Sequence, residues 1–176
     1  VRPAAGSFLV ASGALGDPSF LRSVVYLIEH NDAGSMGVII NRPLDMTLAS
    51  IWEDAPAGLA DAAVAAEGGP VERDRGILLH GLTALPGCQP IGQGLAVGGE
   101  VAALAARFAG GPTPAGPRLF LGHSGWAPGQ LDGEIGEGAW IVRPGVLDHV
   151  LRAPPEDLWK RLLAGGGGGL PEPSVN

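Results

Sequence analysis

Cysteine is almost missing from this 176-residue chain: Cys88 stands alone. An internal disulfide framework and a cysteine zinc cluster are therefore both excluded. Lysine is as scarce, since Lys160 is the single one beside ten arginines scattered without a basic run. With a formal charge of −7 and a pI near 4.9, the molecule repels phosphate backbones and anionic lipid surfaces, which disfavours generic nucleic-acid binding. Long apolar runs are also absent. No stretch approaches the roughly 18 residues of a membrane span, and no basic segment leads into an apolar core at the N-terminus. The expectation is a soluble, cytoplasmic protein. The chain opens on Val1 rather than Met, as expected of a processed or trimmed start.

What is abundant is hydrophobic residues, at 45%, and the two residues that break regular structure, Gly at 30 and Pro at 16. That excludes a disordered tail or a charged coiled coil, and points to many turns between short elements. The length suffices for one ordinary domain with its own core. We expect that domain over residues 1–164, followed by a flexible Gly-rich tail at 165–176.

Along the chain, Ser7 to Ser12 and Ser23 to His30 read as strands. Asp17-Pro18-Ser19-Phe20 between them reads as a turn. Asn31-Asp32-Ala33-Gly34-Ser35 has turn chemistry, so Ser23 to Asn41 is expected as an antiparallel hairpin, ended by Pro43. Thr47 to Glu53 has the apolar spacing of a short helix, and Ala57 to Glu67 suits helix or strand equally. Gly76 to His80, Leu95 to Gly99, Arg118 to Gly122 and Ala139 to Arg143 read as strands, with Gly81 to Gly94 as a loop. Glu100 to Phe108, Gly145 to Leu151 and Pro155 to Leu163 read as helices.

Candidate chemistry is thin. Gly122-His123-Ser124-Gly125-Trp126 departs from the nucleophile elbow, because Trp126 occupies the position that motif reserves for glycine. A tight strand-to-helix turn is the favoured reading there. His30, His80 and His123 each fall at or just past a strand end, but no pair among the four histidines has short metal-ligand spacing. Asp132, Glu134 and Glu137 read as a solvated acidic face, and Cys88 as a small hydrophobe in a Gly/Pro loop. No glycine-rich segment has phosphate-cradle spacing. The residues imply no cofactor and no metal.

Several segments together carry a resemblance: Phe8-Leu9-Val10-Ala11, Asp17-Pro18-Ser19-Phe20, Glu29-His30-Asn31 through Asn41-Arg42-Pro43, Gly68-Gly69-Pro70-Val71, and Gly122 to Ile135 followed by Trp140. In order and spacing the chain resembles the YqgE/AlgH family, also called UPF0301 or DUF179, from Gly6 to about Leu163. The resemblance implies an α+β fold, a bifurcated and mostly antiparallel sheet curled into a pseudo-barrel with short flanking helices, in a bacterial cytosolic protein. One branch of that family is named for control of alginate synthesis, hence an expectation of transcriptional regulation. Against direct DNA reading, this chain shows no basic helix-turn-helix.

From the residues themselves, Gly125 is expected at an unusual backbone angle, Trp126 as a buried ring, and Gln130 bonded to backbone near a bend. Polar and aromatic residues in loops beside strands nominate His30, Asn31, Asn41, Arg42, Trp126 and Gln130 as a binding patch. The function expected is a non-catalytic binding or regulatory protein with an unidentified protein or small-molecule partner. The alternative is a hydrolase or metal-dependent enzyme using His30, His80 or His123, with Glu29.

Overall fold

A computed structural model describes residues 2–165. The expected tail at 165–176 lies outside them, save Gly165. The apolar runs that read as strands are buried on both faces, so alternate side chains feed two separate clusters. Strands β1 (Ser7–Ala11), β2 (Val24–Asn31) and β3 (Gly34–Ile39) form an antiparallel ladder closed by the expected hairpin. Phe8, Val10, Val24, Tyr26, Val38 and Ile40 enter one cluster; Leu9, Ala11, Val25, Leu27 and Ile39 enter the other. The next strands are β4 (Ala65–Glu67), β5 (Val71–His80), β6 (Gln89–Gly92), β7 (Leu95–Val97), β8 (Arg118–Trp126) and β9 (Trp140–Pro144). The helices are α1 (Val101–Arg107), α2 (Gln130–Gly136), α3 (Leu147–Leu151) and α4 (Leu158–Leu163).

Among the described residues the strands run β6-β7-β5-β8-β3-β2-β1-β9, a largely antiparallel sheet curled into a half-barrel. β8 is where it forks. Its first half pairs with β5 on one edge and, in parallel, with β4 on the other; its last three residues pair instead with β3. The fork is stitched at Gly68, whose N–H donates to Leu121 O (2.8 Å) and whose carbonyl accepts from Ile39 N (2.8 Å) and Ser124 Oγ (3.2 Å).

Several local expectations change. Gly122 to Trp126 is not a turn into a helix but the second half of β8, because β3 offers it an edge to pair with. The left-handed residue there is Gly122 (φ 78°), not Gly125. Thr47 to Glu53 yields only a single 3-10 turn, Leu48–Ser50, and β6 forms inside the segment read as a loop. Pro90 is tolerated in β6 because that strand is the sheet's edge. Ala57 to Glu67 resolves into turns and then β4.

Tyr26, the single tyrosine, is buried under Phe8 with ring centroids 6.1 Å apart. Burial pushes its hydroxyl up from 10.0 to about 12. The fold thus retains a proton there that the unfolded chain releases, so this group's contribution is full below pH 10 and is lost as pH rises through about 12. Tyrosinate absorbance should emerge near pH 12 in the native protein and near pH 10 in urea; coincident titrations would contradict the burial.

Candidate functional site

The nominated residues divide between the two ends of the β2–β3 hairpin. At the end away from its turn, Asn41 and Arg42 follow β3 and grip the segment before β2. Asn41 Oδ1 accepts from Val24 N (2.9 Å) and its Nδ2 donates to Arg22 O (3.0 Å). Arg42 donates from Nη1 to Ser19 O (2.6 Å) and from Nη2 to Leu21 O (3.0 Å). Asp17 caps the 3-10 turn Pro18–Phe20 by accepting from Ser19 N. Arg22 is held at φ 58°, a left-handed conformation rare for a residue with a Cβ. Its guanidinium lies 5.7 Å from the ring centre of Trp159, whose Nε1 donates to Ala11 O (2.8 Å). Leu21 stands out at 67% exposure. Arg22, Asn41, Arg42, Trp159 and Lys160 line a groove of about 370 Å³ together with Glu156 and Asp157.

At the turn end, Asn31 Oδ1 accepts from Ala33 N (2.8 Å), an Asx turn that sets the hairpin. His30 lies opposite Ser35 across the ladder, with Nδ1 and Ser35 Oγ 2.6 Å apart. Asp132 Oδ1 is 3.6 Å from His30 Nε2. Trp126 is buried, stacked on Phe20 at 6.1 Å and edge-on to Trp140 at 5.8 Å. Its Nε1 donates to Glu134 Oε1 (3.0 Å), as does Trp140 Nε1 (2.9 Å), while Gln130 Nε2 donates to Glu134 Oε2 (2.9 Å). Gln130 Oε1 in turn accepts from Ala127 N (2.9 Å), the backbone bond expected of it.

Glu134 therefore does not belong to a solvated acidic face. It is half-buried, and it answers the need of two buried indole N–H groups for an acceptor. Its signal in the sequence is the i, i+4 spacing from Gln130 and its place between two tryptophans. Phe20 touches Trp126 and Trp140. Through that ring the turn held by Arg42 packs on the aromatic cluster, so the two ends communicate by packing rather than by sharing one cavity.

The other histidines are separate. His80 is fully buried, its Nδ1 accepting from Leu82 N (3.1 Å), which leaves Nε2 to donate to Gly98 O (2.7 Å). His123 Nδ1 faces Glu72 at 4.0 Å. Among the described residues, no three His, Cys, Asp or Glu side chains converge as metal ligands. Cys88 is half-buried with Sγ 3.7 Å from Leu82 O.

The fork at β8, the hairpin and the double-tryptophan cluster coincide with the segments that carried the resemblance, and the sequence profile of the AlgH-like family, DUF179, matches residues 8–170. The chain belongs to the AlgH-like family. A UPF0301 protein of Thioalkalivibrio sulfidiphilus is 38% identical over 165 residues, covering 89% of this chain and 86% of that one. One from Nocardia farcinica is 40% identical over 165 residues, covering 90% and 76%. The solution structure of AlgH from Pseudomonas aeruginosa, a UPF0301 protein, superposes with a TM-score of 0.73 at 32% identity, over 97% of this chain and 92% of that one. In this AlgH-like chain no described helix is long and apolar enough to cross a membrane.

Proposed function

We propose that this AlgH-like chain is a cytoplasmic, non-catalytic binding or regulatory protein that engages its partner at the groove beside the Pro18–Phe20 turn. One observation carries the reading. Arg22 is held in a left-handed conformation, with Leu21 exposed beside it, by three hydrogen bonds that Asn41 and Arg42 donate and one that Asn41 accepts. Backbone strain of this kind costs about 1 kcal/mol or more and clusters where a surface has work to do. Arg22, Arg42 and Lys160 outnumber Glu156 and Asp157 in this groove, three cations against two carboxylates on a molecule of charge −7. Acidic groups on an otherwise apolar partner suit it, and the protein's overall field disfavours nucleic acid. His30, Asn31, Trp126 and Gln130 contribute by holding the hairpin turn and the ring cluster on which the Pro18–Phe20 turn rests.

A photo-crosslinker placed at Leu21 should capture one cellular protein or small molecule reproducibly. Arg22→Glu and Lys160→Glu should each abolish that capture in a protein that still unfolds cooperatively, Arg22→Glu at the cost of its contact with Trp159, about 0.5–1 kcal/mol. Capture that survives both charge reversals would remove the groove from consideration.

A second reading rests on the Ser35–His30–Asp132 alignment, which has the composition of a hydrolase triad. The aspartate is beyond hydrogen-bond distance of the imidazole, and Ser35 is buried against it. Neither residue lines the groove. Ester hydrolysis by the purified protein that disappears in Ser35→Ala and in His30→Ala would favour this reading over binding.

A further inference from the structure

Arg118, the first residue of β8, is 3% exposed, yet none of the six ion pairs among the described residues includes it. The two N–H groups of its Nη1 are shared among the carbonyls of Ile40 (3.2 Å), His149 (3.5 Å), Val150 (3.2 Å) and Arg152 (3.4 Å), tying the end of α3 to the end of β3. A guanidinium carries N–H groups on all three nitrogens, and those on Nε and Nη2 have no protein acceptor among the described residues. Both atoms still touch solvent, since Ser23 Oγ is the fully buried side-chain polar atom left without a partner there. Arg118 is one of the residues that line a groove of about 320 Å³.

The free Nε–Nη2 edge is the side of a guanidinium that meets two oxygens with two parallel N–H bonds. Nη1 and its carbonyls fix the plane, and Phe120 lies under the guanidinium with its ring centre 4.9 Å from Cζ. No acidic side chain lines the groove. Its walls are Pro43, Pro112, Pro114 and Pro117 with Val64 and Leu151. Proline has no N–H to give, so these walls offer apolar contact, while Arg152 and Thr113 on the same lining add a second guanidinium and a hydroxyl.

We propose that Arg118 is the base of a binding site for a small organic monocarboxylate with an apolar body. Two carboxylate oxygens match the two-nitrogen edge, and the hydrocarbon part covers the proline walls. Inorganic phosphate is the competing anion, since Arg152 and Thr113 could meet its further oxygens but it has no hydrocarbon part to cover the proline walls. Burial pulls the guanidinium down to about 10, which still leaves it charged at neutral pH, and a bound carboxylate would relieve the uncompensated charge. This groove is a different one from that lined by Arg22, so either assignment can fail without the other.

The test uses the whole ¹⁵N-labelled protein, titrated with benzoate, benzamide and inorganic phosphate while the Arg118 Nε–H resonance is followed. Benzoate should shift that resonance saturably, and benzamide, which lacks the charge, should not. Ala63→Trp, exposed on the groove wall and outside every Arg118 hydrogen bond, should abolish the shift in a folded protein. Arg118→Lys should bind benzoate roughly tenfold more weakly, read from the backbone shifts or from thermal stabilisation, since an ammonium has no planar fork. The assignment is overturned by an absent shift, by an equal response to benzamide, by tighter binding of phosphate, or by unchanged binding in Ala63→Trp.

Discussion

Replacing Gly69 or Gly122 by alanine should unfold this protein or destabilise it by about 3 kcal/mol or more. The two glycines meet where the Gly68–Gly69 segment crosses β8. A Cβ on Gly122 would strike the Gly69 carbonyl oxygen and lie 3.1 Å from Val71 O, at φ 78°. One on Gly69 would strike the His123 carbonyl and lie 2.6 Å from Ser124 Oγ, at φ 154°. The nearest obstacle in each case is a backbone atom, which cannot swing aside as a flexible side chain does. Gly133→Ala in α2 is the control: no neighbour lies within 4 Å, and alanine should stabilise that helix by up to about 1 kcal/mol. Urea unfolding of the three variants checks this, and a Gly122→Ala protein as stable as the wild type would refute the crossing.

Glu134→Leu should cost about 2–4 kcal/mol, because it strips the acceptor from two indole N–H groups and from Gln130 at once. Glu134→Gln keeps one acceptor oxygen and should recover a good part of that loss. Both variants should change tryptophan fluorescence, since Trp126 and Trp140 surround the carboxylate. Denaturation midpoints measure the cost. Equal stability of the leucine variant and the wild type would mean that the indoles find other partners.

Which parts of this arrangement were readable from the chain follows from their range. The β2–β3 hairpin was visible because its turn chemistry and its apolar strands are contiguous, and α1 because alanine and a glycine stop lie side by side. Residues Gly122 to Trp126 read locally as a turn because their strand character comes from β3, more than eighty residues earlier in the chain. Glu134 looked like a member of an acidic surface because nothing local shows that two indoles fold back onto it. Arg118 gave no local signal beyond an arginine opening an apolar strand, since its four carbonyl partners lie 31 or more positions away. The nominated patch shares residue type rather than location, and the fold distributes it between a clamp on the Pro18–Phe20 turn and a bracket around the tryptophans.

The central place of β8 also bears on how the chain is made. Both the hairpin and β5 depend on a strand that emerges from the ribosome after residue 117. Until then β3 and β5 each present an open edge of unpaired backbone, the feature that recruits neighbouring chains into aggregates. Chains stopped before Arg118 should therefore be the sticky species, and completion of this one strand closes both edges together.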